Sequence, residues 1–580
     1  MVKKGLCTTK VTQSLRGRAA RGDDTDRNKR TLGVVAVTIA LLAAGGAASA
    51  RLDDRAPAEI QLLTVSDWHG QIVPLQLETG LVGGAAVLKT YFDAARAENP
   101  NTLTFMAGDS VGATPPISSF FDDEPAIRAM DMMGVNADTF GNHNFDGGIA
   151  HLQSLINIAE FPFVVANLKG LEETLTGVEK RAMFTVDGVR VGVIGIMNEE
   201  APTLVTPGAL GTIQIANSIA AANKAARQAR DAGAKVVVIL AHKGIRGFDV
   251  NNNAFGELID FANGVNPALI DVIVGDHTDF EYSGEHNGIL AVENKSKGAQ
   301  FAKIQLTVDR QAGVKAKSVS FVVPAVAGVT PDPAIQAYID GLNEQLVPIL
   351  GTVIGSSTVA VPRSDSCGQS AGRTCESRVG DVVTDAMRTA YGTDFAITNS
   401  GGLRAALTCP LAGSGGFCPA DAGPPFPITR GSVLGVLPFG NESTTTSVTG
   451  AEVKSFLENG VSRMPAVDGR FPQVSGLCFT YDISQAPGSR VTSIVRQAQD
   501  GSCTGPAIDP SATYTLAIND FMAAGGDGYP NVFARSTTRN VVASDVEDYV
   551  VANSPLGPSI QGRIACTSSG AVVCPTIIEP

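Results

Sequence analysis

No cysteine occurs between Cys7 and Cys367, and nowhere do two cysteines have C-x-x-C spacing. Thiolate zinc sites, iron–sulfur clusters and thioredoxin-type redox pairs are thereby excluded from that long stretch. Charge is also sparse, at 17% of residues against 44% hydrophobic, a balance that excludes a dominant disordered region. Basic residues are in deficit, and the net charge of −13 argues against a nucleic acid polymer or an anionic membrane as a broad partner. Long apolar runs are missing except at residues 31–50. Histidine is rarest, with six among 580 residues. At that length two or more domains are expected.

The one apolar run follows residues 1–30, which carry nine Lys/Arg and three Asp, and it ends at Ala48-Ser49-Ala50. This pattern predicts a secretory signal peptide over residues 1–50, cleaved after Ala50. An uncleaved membrane anchor is the alternative, since 20 uncharged residues just span a bilayer. No adjacent arginine pair precedes the run, which favours general secretion and a periplasmic or secreted protein. Removing the +6 of residues 1–30 takes the mature chain from −13 to −19. After Thr576 there is no hydrophobic tail, so neither a lipid anchor nor stable membrane association after cleavage is expected. The eight cysteines from Cys367 onward are an even set in an exported chain and read as disulfides. Neighbour pairing (367–375, 409–418, 478–503, 566–574) is the simplest scheme.

From Ile60 onward, strand-like runs alternate with helical periodicity, the mark of a layered α/β domain. Each of five runs ends in polar residues: Asp67-Trp68-His69, Gly108-Asp109, Gly141-Asn142-His143-Asn144-Phe145-Asp146, His242-Lys243-Gly244 and Gly275-Asp276-His277-Thr278-Asp279. Ligands gather outside the carboxyl ends of strands in such domains. Four of the six histidines fall in these clusters; His151 and His286 read as ordinary surface or packing residues. Asp67, His69, Asp109, Asn142, His242, His277 and Asp279 form a mixed O/N donor set suited to Zn, Mn, Co or Fe. Asp109, after a glycine that lets the backbone come close, is the expected bridge between two divalent cations. His143 is placed to stabilise a leaving oxygen, with Asp146 three residues on to orient its ring; a third metal ligand is the other role open to His143. Pro333 to Val347 predicts a helix with Ile335, Tyr338, Leu342 and Leu346 inward. Residues 410–427, rich in Gly and Pro, predict a surface loop.

In this order the clusters D-x-H, G-D, G-N-H-x-F-D, H-x-G and G-D-H-x-D resemble the calcineurin-type metallophosphoesterases. Features of the second half narrow the resemblance to the 5′-nucleotidase and UDP-sugar hydrolase family, over about Ile60 to Arg535. The resemblance implies an N-terminal four-layer α/β/β/α metallophosphoesterase domain (51–330), a linker helix and hinge (331–363) and a C-terminal α+β nucleotide-binding domain (364–580). It implies one metal on Asp67, His69, Asp109 and Asp279, a second on Asp109, Asn142, His242 and His277, and His143 with Asp146 as the catalytic pair. Phe439 and Phe521 match the family's base-stacking rings, Asp527 the ribose-binding carboxylate, and Asn441 is a candidate for the base edge. Arg404, on the Asn399-Ser400-Gly401-Gly402-Leu403 loop, and Arg373, with Arg378 as its alternative, match phosphate-gripping arginines. The implied activity is hydrolysis of nucleoside 5′-monophosphates, with UDP-sugars or nucleoside di- and triphosphates as further substrates, by a hydroxide activated between two metals. A 2′,3′-cyclic-nucleotide phosphodiesterase/3′-nucleotidase is the alternative, and a non-catalytic nucleotide-binding protein a third.

Overall fold

The computed structural model describes residues 56–77, 79–170, 174–409, 417–419 and 423–578. The expected signal peptide and its cleavage site lie outside them, as does most of the expected surface loop after Cys409. Among the described residues no helix is long and apolar enough to cross a membrane.

Residues 58–322 fold as two sheets between helices. One sheet has the order Gly313–Val322, Phe301–Asp309, Ala58–Val65, Thr102–Met106. The other runs Tyr282–His286, Ile289–Glu293, Val272–Val274, Val236–Ala241, Val189–Ile196, Arg181–Val186. Alternation along the strands sets the layers, because successive side chains point to opposite faces. Ile60 and Leu62 meet Val191, Val236 and Val238 between the sheets. Leu63 and Val65 instead face a core with Leu88, Phe92 and Met130 of the outer helices Ala85–Glu98 and Glu124–Met133. On the far side Val237 and Ile239 pack under the Ala-rich helix Ser218–Asp231. The result is the four-layer α/β/β/α arrangement. Near-continuous apolar runs such as Val236–Ala241, buried at every position, are what strands covered on both faces require.

The helix Pro333–Leu350 starts at Asp332, whose carboxylate accepts from the backbone N–H of Ala334 and Ile335. Its buried line is Ile335, Ile339, Leu342, Leu346 and Leu350. Tyr338, expected inward, is only half-buried beside that line.

The remaining chain is α+β. A five-stranded sheet, Pro472–Ser475, Phe395–Asn399, Thr513–Asn519, Glu442–Thr449, Thr537–Val541, is covered by helices Arg378–Tyr391 and Val542–Asn553 on one face. Helix Gly450–Gly460 covers the other. All four neighbour disulfides form: Cys367–Cys375, Cys409–Cys418, Cys478–Cys503 and Cys566–Cys574. Phe426 and Pro427, assigned from sequence to a loop, belong to a short strand, Phe426–Thr429, paired with Val353–Ser357.

Candidate functional site

Strand ends deliver the donor residues to one place. Ala58–Val65 is followed by Asp67 and His69, Thr102–Met106 by Asp109, Val236–Ala241 by His242 and Val272–Val274 by His277. Asp67, His69, Asp109, His277 and Asp279 all have positive φ (41°, 49°, 43°, 90° and 60°). Such backbone is uncommon for residues with a Cβ and persists where surrounding structure enforces it, typically at functional sites. Gly108 and Gly141 allow the loops to close: a Cβ on Gly141 would lie 2.1 Å from Asp109 Oδ1, and one on Gly108 would lie 2.8 Å from His242 Nδ1.

The side chains converge on Asp109. His242 Nε2 lies 3.1 Å from Asp109 Oδ2 and 3.2 Å from Asn142 Oδ1, and His277 Nδ1 is 3.1 Å from the same His242 nitrogen. Donor atoms of Asp109, His242 and His277 lie within 4.8 Å of one another, as do those of His69, Asp109 and His143, and those of Asp67, His242 and Asp276. Asp109 thus belongs to two groups, as a bridge requires. His242 Nδ1 faces Asp276 Oδ2 at 3.5 Å, both fully buried. Carboxylates and imidazoles crowded together out of water fit hard-to-borderline divalent cations.

The electrostatics are those of crowded charge. Burial and the neighbouring Asp276 push the Asp67 carboxyl well above its usual range. Burial would raise Asp109 too, but His242 and His143 beside it hold it well below. His69 and His277 are driven down by burial, then by Arg404 and by His242 respectively. That favours the neutral imidazole, the form in which a ring nitrogen accepts; His69 Nε2 lies 3.2 Å from Arg404 Nη2 and its Nδ1 2.8 Å from the Gly112 carbonyl. His143 is raised against its burial by Asp146 and Asp109, and its Nδ1 sits 2.9 Å from Asp146 Oδ2.

One cavity of about 690 Å³ collects these groups together with the second half's residues. Asp67, His69, Asp109, Asn142, His143, Asp146, His277 and Asp279 line it, as do Arg373, Asn399, Gly402, Arg404, Phe439, Asn441, Phe521 and Asp527. His242 stands behind this wall, fully buried. Phe439 stacks on His143 with ring centroids 5.5 Å apart. Gly526 leaves room for Phe521, since a Cβ there would meet the ring at 2.4 Å. Asp527 accepts from Asn399 Nδ2 at 2.8 Å, and burial followed by Asp468 raises its carboxyl to about 6. Asn441 donates to Asp520 Oδ1 at 2.8 Å.

Two expected residues make other contacts. Arg378 does not line the cavity; its Nη1 points to the Ala360 carbonyl, 3.4 Å away. Asp279 lines the cavity but joins none of the His/Asp donor groups, and its Oδ1 accepts from both the N and the Oγ of Ser296. Other residues had no role from sequence. Asp276, inside a quoted motif, supplies a donor to one group. Arg363 and Lys297 line the cavity from distant segments without any motif around them. The fully buried Glu293 ties the loops down by accepting from Ile245 N, Thr278 Oγ1 and Phe280 N, and its desolvated carboxyl rises to about 8.

Strand-end carboxylates and imidazoles of a four-layer domain, facing phenylalanines and arginines of an α+β domain, define a two-domain metallophosphoesterase architecture. Residues 353–535 match the family model of the 5′-nucleotidase C-terminal domain. Residues 353–535 thus carry a 5′-nucleotidase C-terminal domain, and the chain as a whole is similar to 5′-nucleotidases. Its similarity to "Endonuclease YhcR" of Bacillus subtilis (strain 168) is 29% identity, over 89% of this chain and 42% of that protein. "Protein 5NUC" of Lutzomyia longipalpis is 26% identical over 92% of this chain and 96% of its own. The crystal structure of a 5′-nucleotidase precursor from Thermus thermophilus aligns with a TM-score of 0.75 and 26% identity, covering 89% of this chain and 100% of that one. The chain spans 42%, 66% and 34% of the first three curated relatives it matches.

Proposed function

We propose that the protein is an exported nucleotide phosphohydrolase acting on nucleoside 5′-monophosphates, with UDP-sugars and nucleoside di- and triphosphates as related substrates. The observation that carries this is the cavity that Asp67, Asp109 and Asn142 line together with Arg404, Phe439, Phe521 and Asp527.

Asp67, His69, Asp109, Asn142, His242 and His277 would hold two divalent cations, which supply Lewis acidity toward the phosphoryl oxygens and lower the pKa of an attacking water. Phe439 and Phe521 grip the base between apolar faces. Asp527 accepts hydrogen bonds from the ribose hydroxyls. Arg373, Arg404 and Arg363 pair with phosphate oxygens through their planar donor forks. His143, with Nδ1 bonded to Asp146, presents Nε2 to donate a proton or hydrogen bond to the leaving oxygen. Asp279 serves the site by fixing the Ser296 turn.

Export is supported by four disulfides, which form and persist in oxidising compartments, and by relatives named "Snake venom 5'-nucleotidase" and "Cell wall protein". In this proposal residues 1–50 are the signal, 51–330 the catalytic domain, 331–363 the hinge and 364–580 the nucleotide-binding domain. A relative named "Trifunctional nucleotide phosphoesterase protein YfkN", 28% identical over 83% of this chain, supports action on more than one nucleotide phosphoester, and 2′,3′-cyclic nucleotides are the second substrate class in this proposal.

Phosphate release by the purified chain with Mn or Zn is expected from AMP, UMP or UDP-glucose; no release from any of them rejects the proposal. Parallel assay of 2′,3′-cyclic AMP decides between the two classes. His143→Ala should retain nucleotide binding and lower turnover on the order of 100-fold. Unchanged turnover would remove His143 from the chemistry.

A further inference from the structure

Beyond the residues assigned above, the cavity wall carries another basic side chain, on a turn fixed atom by atom. The strand Ile289–Glu293 leads into this turn, where Ser296 N and Oγ both donate to Asp279 Oδ1 at 2.8 Å. Lys297 N donates to the Asp67 carbonyl at 2.9 Å, and Ala299 N to the Ser296 carbonyl at 3.0 Å. Lys297 has φ 57°, a left-handed conformation unfavourable for a long side chain. The turn cannot easily relax, because Gly298 is packed so closely that a Cβ on Gly83 would meet its carbonyl oxygen at 2.6 Å. A lysine held in such backbone at a cavity wall is a sign of use rather than of default packing.

Lys297 lines the cavity beside Arg363, Arg373 and Arg404; burial first and then these like charges lower its ammonium well below the usual lysine range, with Asp279 as the opposing carboxylate. That carboxylate is itself bonded to Ser296. The ammonium has three donors, one of which goes to the Arg404 carbonyl at 3.2 Å. Three guanidiniums already supply donor forks enough for one phosphomonoester. A fourth basic group, whose positive charge burial and those guanidiniums oppose until an anion binds, suits a ligand with more phosphoryl groups than a monophosphate brings.

We propose that Lys297 is a specificity-determining residue that pairs with a second phosphoryl group, so that the site favours nucleoside diphosphates over monophosphates of the same base. This rests on the phosphohydrolase function proposed above. In the reaction, water adds to the terminal phosphorus and the bond to the bridging oxygen breaks. That oxygen stays on the nucleoside monophosphate, whose phosphate carries the negative charge beside Lys297, and inorganic phosphate leaves.

The test measures binding of AMP and of α,β-methylene-ADP, which cannot be cleaved at that bridge, to the full chain, together with kcat/KM for AMP and ADP. Lys297→Met should weaken α,β-methylene-ADP by about tenfold or more, the loss expected of a charge-assisted hydrogen bond. AMP should weaken by no more than about threefold, the scale of a screened long-range charge effect, and kcat/KM should shift in the same ratio. Lys297→Arg should keep most of the preference. Lys297→Asn, whose residue type tolerates the left-handed region, replaces the Met variant if thermal melting shows that Met disturbs the turn. Equal losses for both ligands, or none, overturn the assignment. A wild type that releases no phosphate from AMP or ADP rejects the function itself, whereas an active wild type with an unselective Lys297→Met rejects only the role of Lys297.

Discussion

Asp527, proposed above to bind ribose, is held at the expense of stability. It is 6% exposed, sits in a left-handed conformation (φ 54°) and is raised to about 6 by burial and by Asp468. A carboxyl whose folded pKa is raised binds more protons in the folded than in the unfolded state between about pH 4 and pH 6, so stability falls as pH rises through that window. At neutral pH the buried charge costs at most about 3 kcal/mol. Asp527→Asn keeps an oxygen to face Asn399 and loses the charge. It should therefore melt higher than wild type at pH 7.5, with the gain shrinking toward pH 4, while KM for nucleotides rises. A variant that melts lower at neutral pH would contradict the strain. Legibility at this scale follows locality. Asp67, His69, Asp109, Asn142 and His143 could be read because each ends a strand-like run within a few residues. Arg363 and Lys297 could not, because only the tertiary fold brings them beside Arg404. Arg373 and Arg378 are five apart, and no spacing rule tells which one turns to the cavity; Arg378 opens a helix that directs it away. Asp279 ends the motif and lines the cavity, while its Oδ1 accepts from Ser296, 17 residues downstream.

At the scale of elements, apolar packing and ion pairs join the halves in different ways. The helix Pro333–Leu350 sends its buried line into the core of the outer helices near Ala85–Glu98 and also touches Arg430–Val436 of the second half. Its period was plain in the sequence, so the helix could be read. Tyr338 was misplaced because the i, i+3, i+4 spacing allowed it or Ile339, and only the neighbouring surface decides. Near the cavity the junction is charged. Arg246 reaches Glu200 and Glu257 at 2.9 Å on its own side and Asp468 at 3.4 Å across the junction, while Arg463 reaches back to Glu200 at 3.2 Å. Partly exposed pairs of this kind are worth about 1 kcal/mol or less and are screened by salt. If they hold the cavity closed over substrate, KM should rise with ionic strength while kcat stays nearly constant. Arg246→Gln should begin with KM about three- to fivefold higher, on the scale of such a pair, and respond less to added salt. Parallel salt curves for the two proteins would show that these pairs do not govern closure.

Over the whole molecule the charge is acidic, −13 in all, yet the cavity gathers Lys297, Arg363, Arg373 and Arg404 on one wall and Asp67, Asp109 and Asp276 on or behind another. Under the proposed function a phosphate ester would be attracted locally while the surface at large repels anions. The acidic wall is the less stable part. Asp67 and Asp276 are both buried and each raises or is raised by its carboxylate neighbours. Like charges out of water are tolerated when a cation sits between them. A cation that binds the folded chain and not the unfolded one stabilises by RT ln(1 + [M]/Kd), about 2.7 kcal/mol per site at a hundredfold excess over Kd. Two sites then give about 5 kcal/mol, a rise in melting temperature on the order of 5–10 °C for a transition of a few hundred residues. Adding Mn or Zn after treatment with a chelator should reproduce that rise by calorimetry, without any assay of activity. Asp109→Asn removes the carboxylate common to two donor groups and should abolish most of the rise. Asp279→Asn should leave most of it, since Asp279 holds the Ser296 turn instead of joining those groups. Equal loss in both variants would return Asp279 to the ligand set and make the turn it fixes a consequence of metal binding.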